Sequence, residues 1–427
     1  MNLRRTITAV LAAALLLPSC AAPVPEDDPS ENPDIIETAG TNTQIPTVSA
    51  IPLAAASKEP EGIPADETLK SAVTGFSEAF YKLAIQQTEE NVILSPLSLY
   101  YALALTTNGA VGETKTEMES ALGLSTDELN GYLCALTEKL GETENSTVNI
   151  ANSVWGNSSI FQISPDFRTI AEKYYSTEAK SVQFGDPETV GEINNWVSGK
   201  TDGMIPRVVD ELDPGLALIL LNTVLFDGVW QKEYEEWDVR PDSFHAADGT
   251  IPDVDFLCST ESGYFTVDGA VGFSKNYSDS YRFIGVLPDG DVNDFTTRMD
   301  LSEIIEKSAK SYAECDAAIP KFEYETSLGL NEIAQSLGIQ RAFTDFAELG
   351  GLSATGVNDL YISSIFQKAK VILNEHGTKA AAATEIAVAE EGYAILPTVY
   401  LDRPFFFVIV DSDGIPLFLG TVENPTA

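Results

Sequence analysis

Hydrophobic and polar positions alternate with period two over residues 378–388. Thr378, Ala380, Ala382, Thr384, Ile386 and Val388 form one face, small or apolar throughout. Lys379, Ala381, Ala383, Glu385, Ala387 and Ala389 form the other, and every charge falls on it. This is the pattern of a strand with one face against a core. Alanine, however, favours helix over strand, so an Ala-rich surface helix fits the local pattern equally well. A segment that can pair as a strand, yet is too weak to hold one alone, suits a loop able to slide into an existing sheet. The flanks support that reading. Leu360–Leu373 before it and Val399–Ile409 after it are long runs rich in hydrophobic and β-branched residues. Earlier in the chain, Ser95 can cap a helix that has Pro96 at its first position and ends near Asn108-Gly109. Thr114 and Glu117 have capping-box spacing for the next short helix. Asp413-Gly414, between two apolar runs, predicts a hairpin turn.

Several of these segments carry words that resemble the serpins. Glu375, Gly377, Thr378, Ala380, Ala381 and Ala382 match that family's hinge, and Leu401, Asp402, Arg403, Pro404, Phe405 and Phe406 match its C-terminal signature. Asn91-Val-Ile-Leu-Ser-Pro-Leu-Ser98, Gly109–Thr114, Ala151–Trp155, Ile193–Val197, Leu220–Trp230, Ile319–Phe322 and Leu417–Gly420 are similar to family motifs in the same order. The resemblance covers residues 68–427. It implies an α+β fold with three β-sheets, a helical cluster and an exposed reactive-centre loop. It also implies a suicide-substrate inhibitor of serine proteases, or of a cysteine protease, rather than an enzyme. A target would cleave the loop, form a covalent acyl complex, and be carried along as the loop inserts into the central sheet.

The same resemblance assigns residues. Ser95, Ser98 and Asn222 would belong to a polar cluster holding the central strands shut, with Gln367 where the family usually has a His. A Gln can donate and accept through one amide, but a His-linked pH response there is lost. Trp230 would stand where the loop enters, and Lys321 would pair with Glu375 at the hinge base. Counting from Gly377 puts the scissile bond at Glu391-Gly392; counting back from Arg403-Pro404 gives Tyr393-Ala394. Two other readings remain: a non-inhibitory serpin acting as a surface binding module, and a surface lipoprotein that binds a solute or glycan. Thr378 and the alanines argue against the first, and the ordered motifs against the second.

The N-terminus changes where such a protein would work. Arg4 and Arg5 precede an apolar run from Ala9 to Leu17, and Leu17-Pro-Ser-Cys20 reads as a lipobox, making 1–19 a lipoprotein signal peptide and Cys20 a lipid anchor to the membrane. The run is too short to span a bilayer. Residues 21–67 hold eight prolines, ten acidic residues, one Lys and no aromatics, so 20–67 is expected to be a disordered tether. The protein is then exported, held at the cell envelope and faces the extracellular space; the lipobox also implies a bacterial source. Cys134, Cys258 and Cys315 lack metal-ligand spacing and are expected as buried thiols, with one bridge left open.

Net charge is −40; the first 67 residues contribute three cations and ten carboxylates, which leaves −33 beyond them. Such a surface repels nucleic acid and heparin-like polyanions. Residues 126–145, where some serpins place a heparin-binding helix, carry Asp127, Glu128, Glu138, Glu142 and Glu144 against Lys139. A monomer is expected. No cofactor or metal is called for: Asp411-Ser-Asp-Gly414 lacks the Glu that would complete a calcium loop, and there is no Gly-rich phosphate loop. The two histidines, His245 and His376, offer no convincing base for a hydrolase.

Overall fold

The computed structural model describes residues 51–426 apart from 89, 142–144, 358–359 and 379–395. Cys20, Ala380, Ala381, Ala382, Glu391, Gly392, Tyr393 and Ala394 therefore lie outside the described residues. The chain opens with α1 (Glu67–Ala84), β1 (Val92–Leu94) and three helices, α2 (Pro96–Thr107), α3 (Gly112–Leu122) and α4 (Thr126–Gly141). β2 (Thr147–Asn157), α5 (Pro165–Tyr175), β3 (Glu178–Val182), α6 (Pro187–Lys200) and β4 (Leu218–Val229) follow. Next come β5 (Val239–Ala246), β6 (Gly249–Ser262), β7 (Phe265–Val267), β8 (Ala270–Asn276), β9 (Arg282–Pro288), α7 (Val292–Arg298), α8 (Leu301–Lys310), β10 (Glu314–Pro320), β11 (Phe322–Gly329) and α9 (Asn331–Ser336). The last strands are β12 (Ser364–Asn374), β13 (Gly377–Thr378), β14 (Thr398–Tyr400), β15 (Phe405–Val410) and β16 (Pro416–Val422).

The strands form three sheets, with orders β1-β16-β15-β9-β8-β7, β14-β10-β6-β5 and β11-β12-β13-β4-β2-β3. The third, central sheet is covered on both faces around β4. Leu218, Leu220 and Val224 of β4 join the main core, while Ile219 and Leu221 point the other way into a second cluster with Trp155, Phe184 and Ile193. That double burial explains why β4 reads as a continuous apolar run rather than an alternating one. β12 does alternate. Ile365, Gln367, Ala369, Val371 and Leu373 are buried, while Lys368 and Lys370 pair across the outer face with Glu325 and Glu323 of β11, at 2.9 and 2.7 Å. Beneath the sheet lies α2, buried along its whole length. A helix apolar all round belongs inside a core.

Local signals in the sequence account for many boundaries. Ser95 caps α2, accepting from the Ser98 N–H at 3.4 Å, and Pro96 opens the helix. The β15–β16 hairpin turns at Asp413-Gly414, with Gly414 at φ +83°. The buried Asp411 carboxylate supports that turn, accepting from the N–H of Asp413 and Ile415 and from Lys139. The capping box at Thr114 and Glu117 does not form. α3 starts at Gly112 with Val111 in the N-cap position, three residues before Thr114, and Glu348 caps it from a distance by accepting from the N–H of Glu113 and Thr114. Glu117 instead accepts from the N–H of Gln340 and Arg341.

The expected tether also ends sooner than residue 67. Ala54–Ser57 forms a 3₁₀ turn, the Ile63 N–H donates to the Gly131 carbonyl of α4, and Asp66 caps α1 while accepting from Tyr132. Leu53, Ala55, Ala56 and Ala65 pack on the main core. These few apolar side chains, with one backbone bond to α4, are enough to seat a proline-rich segment. The thiols of Cys134, Cys258 and Cys315 are free, with Cys258 only half-buried. Removal of residues 51–66 should lower unfolding stability by about 1–2 kcal/mol relative to a chain beginning at 51, the scale of burying one or two aliphatic side chains. Thermal unfolding of the two truncations checks this; equal stability would show that the segment contributes nothing.

Candidate functional site

The central sheet has an unusual seam. β12 and β4 are neighbours and run parallel, paired from Ser364↔Ile219 to Ala369↔Val224. Above Ala369 they separate, and β13 occupies the gap. Thr378 pairs antiparallel with both Leu373 of β12 and Gly228 of β4, and Gly377 with Asn374 and Val229. Glu375 and His376 thus form the two-residue turn that returns the chain from β12 into the sheet, and residues 379–395 continue from this point.

The turn is held through its carbonyls. The Trp230 amide donates to the His376 carbonyl and the Tyr234 amide to the Glu375 carbonyl, both at 3.0 Å. The Trp230 indole N–H donates to the Asn374 carbonyl at 3.0 Å. Trp230 is itself fixed by stacking on Tyr277, with ring centroids 4.1 Å apart, and Lys275 lies over the rings of Trp230 and Tyr234. Burial pulls the Lys275 ammonium below the ordinary lysine range despite its 2.7 Å pair with Glu261.

Thr378 is buried and its hydroxyl lies 2.8 Å from the Tyr277 hydroxyl. It faces inward, as the period-two pattern requires. Gly377 has φ +151°, and a Cβ there would come within 2.0 Å of the Gly228 carbonyl oxygen. No other residue fits that position. Lys321 reaches Glu375 at 2.9 Å and Asp255 at 3.6 Å. Burial works to raise the Glu375 carboxyl, but a backbone N–H and Lys321 outweigh it and hold it below the ordinary glutamate range.

Halfway down the seam lies the buried polar cluster. Gln367 grips the backbone of Ser95 at both ends of its amide, accepting from the N–H at 3.0 Å and donating to the carbonyl at 2.8 Å. Ser98 and Asn222 meet a residue the sequence reading passed over, Asn152 of β2. Its side-chain oxygen accepts from the Ser98 hydroxyl and the Asn222 amide, both at 3.0 Å. The expected cluster of Ser95, Ser98, Asn222 and Gln367 is thus two linked pieces, joined because Asn222 and Gln367 are register partners across the seam. Asn152 had a signal: it is a polar side chain at an alternating position with Ile150 and Val154. The Asn222 oxygen and the Asn152 amide nitrogen have no hydrogen-bond partner among the described residues.

Residues 71–425 match the family profile described as serpin (serine protease inhibitor). The chain is similar to a thermophilic serpin, tengpin, in its native state, with a TM-score of 0.79 and 35% identity, covering 88% of this chain and all of that one. It is 30% identical to Serpin A3-3 of Bos taurus over 84% of this chain and 90% of that protein. It is 28% identical to a serpin-like protein of Thermococcus kodakarensis over 99% of both. The three-sheet α+β architecture is that of the solved relative.

Asn152→Ala should cost about 2–4 kcal/mol, because it strands the Ser98 hydroxyl and the Asn222 amide in a buried site. Denaturant unfolding of the variant measures this; a loss below about 0.5 kcal/mol would mean that the cluster carries little of the sheet's closure.

Proposed function

This chain belongs to the serpin family, and we propose that it is a suicide-substrate inhibitor of serine proteases. The single observation that carries the reading is the register of the seam. Continuing β13 in steps of two from Thr378, whose partners are Leu373 and Gly228, brings Ala382 opposite Ala369 and Val224. Thr384 then falls opposite Gln367 and Asn222, and Ile386 opposite Ile365 and Leu220. Each of these pairs is one that β12 and β4 already make with each other. One inserted strand would therefore replace every parallel pairing of the seam with two antiparallel ones, without a register slip. Its inward face would be small until Ile386 and Val388, and its second hydroxyl, Thr384, would arrive beside the buried amides.

The chemistry is ordinary acyl transfer interrupted. The protease serine oxygen attacks the Glu391 carbonyl carbon, the bond to the Gly392 nitrogen breaks, and that nitrogen leaves as a protonated amine. Glu391 stays esterified to the enzyme while the freed segment inserts. Ladder bonds give ~1 kcal/mol per residue, against ~1–2 kcal/mol of lost backbone entropy. The drive therefore comes also from burying Ile386 and Val388 and from the antiparallel exchange.

Thr378→Arg should convert the inhibitor into a substrate. A guanidinium forced against Tyr277 costs several kcal/mol, enough for deacylation to overtake insertion. The readout is the yield of SDS-stable complex with a glutamate-specific serine protease; an unchanged yield would sink the insertion mechanism. Mass spectrometry of the released C-terminal peptide locates the bond: Gly392 as its first residue supports Glu391, and Ala394 moves the site to Tyr393. The same proposal places the inhibitor at the outer face of the cell envelope through a lipid on Cys20. Cys20→Ser should release it into the medium, and wild-type protein found only in the medium would refute anchoring.

A further inference from the structure

The four-stranded sheet β14-β10-β6-β5 has one face in the core and one in solvent. Along β10, Glu314 and Asp316 are exposed while Cys315 and Ala317 are buried; along β14, Tyr400 is exposed while Val399 is buried. Across the open face, one row of register partners reads Tyr400, Ala318, Cys258. Its inner members are small, and an aromatic stands at either side of the sheet. Tyr400, on the edge strand β14, is 42% exposed. Trp237 is 66% exposed and belongs to a 3₁₀ turn (Glu236–Asp238) packed against β6. That turn runs directly into β5, whose first residue, Val239, pairs with Leu257, so it lies alongside β6 close to Cys258. The turn is held in place. Glu235 and Asp238 form a capping box, and the neighbouring Tyr234 amide donates to the Glu375 carbonyl. Leaving a fixed indole in water stabilises nothing in the fold, whereas aromatic anchors carry much of the binding energy of protein interfaces.

We propose that this open face is a docking surface for the target protease, and that it selects serine proteases whose surface beside the active site is basic. The identity of the occupant rests on the inhibitory reading; the surface itself does not. Continuity with the reactive loop is the first argument. Lys321, directly after β10, holds Glu375 at 2.9 Å, and the Asp316 N–H donates to the Pro397 carbonyl at 2.9 Å. The chain is therefore tied to this sheet both before and after residues 379–395. Reach is the second. Glu391 precedes Thr398 by seven residues, at most about 25 Å of chain, while a protease domain of ~220 residues has a radius of gyration of about 17 Å. A protease seated on Glu391 thus comes within reach of the sheet. Charge is the third. Glu236, Asp242, Glu314 and Asp316 are exposed around the row, against the exposed Arg240. An acidic rim draws a basic partner and turns an acidic one away. Aromatic anchors inside a charged rim are also the usual division of labour in an interface, the anchors giving affinity and the rim giving rate and choice of partner.

The test uses the whole chain as wild type, Trp237→Ala, Tyr400→Ala and a charge variant combining Glu236→Gln, Asp242→Asn, Glu314→Gln and Asp316→Asn. Phe346→Ala is the control: Phe346 is 72% exposed, but in the segment whose Glu348 caps α3. Every substituted side chain is exposed, so thermal unfolding should be unchanged throughout. The probe is a strongly basic glutamate-specific serine protease, used active and with its nucleophilic serine replaced by alanine. Affinity for the inert protease should fall about five- to thirtyfold in each aromatic variant and stay at the wild-type value in Phe346→Ala. Wild-type association should slow about tenfold between about 0.05 and 0.5 M salt, and that dependence should flatten in the charge variant. Equal affinity in all five proteins, or an equal loss in Phe346→Ala, would overturn the proposal. So would an effect of the charge variant alone, since steering at a distance needs no docked face. If the inert protease depends on Trp237 and Tyr400 but the active one gives no SDS-stable complex, the surface stands and the suicide mechanism fails. If complexes form at one rate in every variant, the mechanism stands and the surface fails.

Discussion

The parallel pairing of β12 with β4 is the interaction on which the rest of this molecule depends. It spans six residue pairs and joins two strands that belong to otherwise antiparallel neighbourhoods. Parallel ladders are somewhat weaker per residue than antiparallel ones, and a short one has few bonds to lose. The strands on either side are well fixed: β2 pairs with β4 over ten positions and β11 with β12 over eight. Among these four strands the weak line is therefore the one between β12 and β4; the sheet's other parallel pairing, β2 with β3, lies at its edge. That is the condition for opening by separation of two halves rather than by general unfolding.

What holds the seam shut is polar at its middle and aromatic at its open end. In the middle, Gln367 ties β12 to the start of α2, while Asn152 and Ser98 tie β2 to α2 and Asn222 brings in β4. The helix acts as a common post for strands on both sides of the seam. Hydrogen bonds suit that role better than apolar packing: they are lost together when the strands separate, and can be made again with a new partner of the right chemistry. At the open end Trp230, Tyr277 and Thr378 wedge the first turn of the hinge between the strands. Gly377 lets the two backbones approach there, since a Cβ on it would strike the Gly228 carbonyl, while Gly228 leaves room for the Phe226 ring. The seat is thus tight in shape, and the contacts of Glu375 with Lys321 and of His376 with Glu233 lie at the turn beside it.

Much of this was legible in the sequence because it is local. The hydrophobic, β-branched run Leu360–Leu373, the cap at Ser95-Pro96 and the turn at Asp413-Gly414 each need only a few neighbouring residues, and the structure has a strand, a capped helix and a hairpin turn there. The resemblance also singled out Glu375, Gly377, Thr378 and Lys321; the structure sets Gly377 and Thr378 between β12 and β4 and Lys321 2.9 Å from Glu375. What escaped depends on partners far along the chain. Glu348 caps α3 from more than two hundred positions away, which no capping pattern near Thr114 could show. Asn152 hides in a strand word in which only its polarity on an apolar face gives it away. The His376–Glu233 contact joins two residues with no periodic or spacing relation. The segment 51–66 read as a tether because composition sees prolines and carboxylates, whereas a handful of apolar atoms and one backbone bond decided its place.

The acidic surface follows from the same division of labour. With −33 on the domain, cations are scarce, and many of those present bind particular parts of the fold. Lys139, the single cation of residues 126–145, is held between Asp411 and Asp413 at 2.7 and 2.6 Å and anchors α4 to the last hairpin. Lys321 serves the hinge, Lys275 the aromatic wedge, and Lys368 and Lys370 the outer face of β12. A polyanion approaching α4 would meet carboxylates and a lysine already committed to two of them. The lysines nearest the seam are likewise committed to carboxylates within the fold, Lys321 to Glu375 and Asp255 and Lys275 to Glu261.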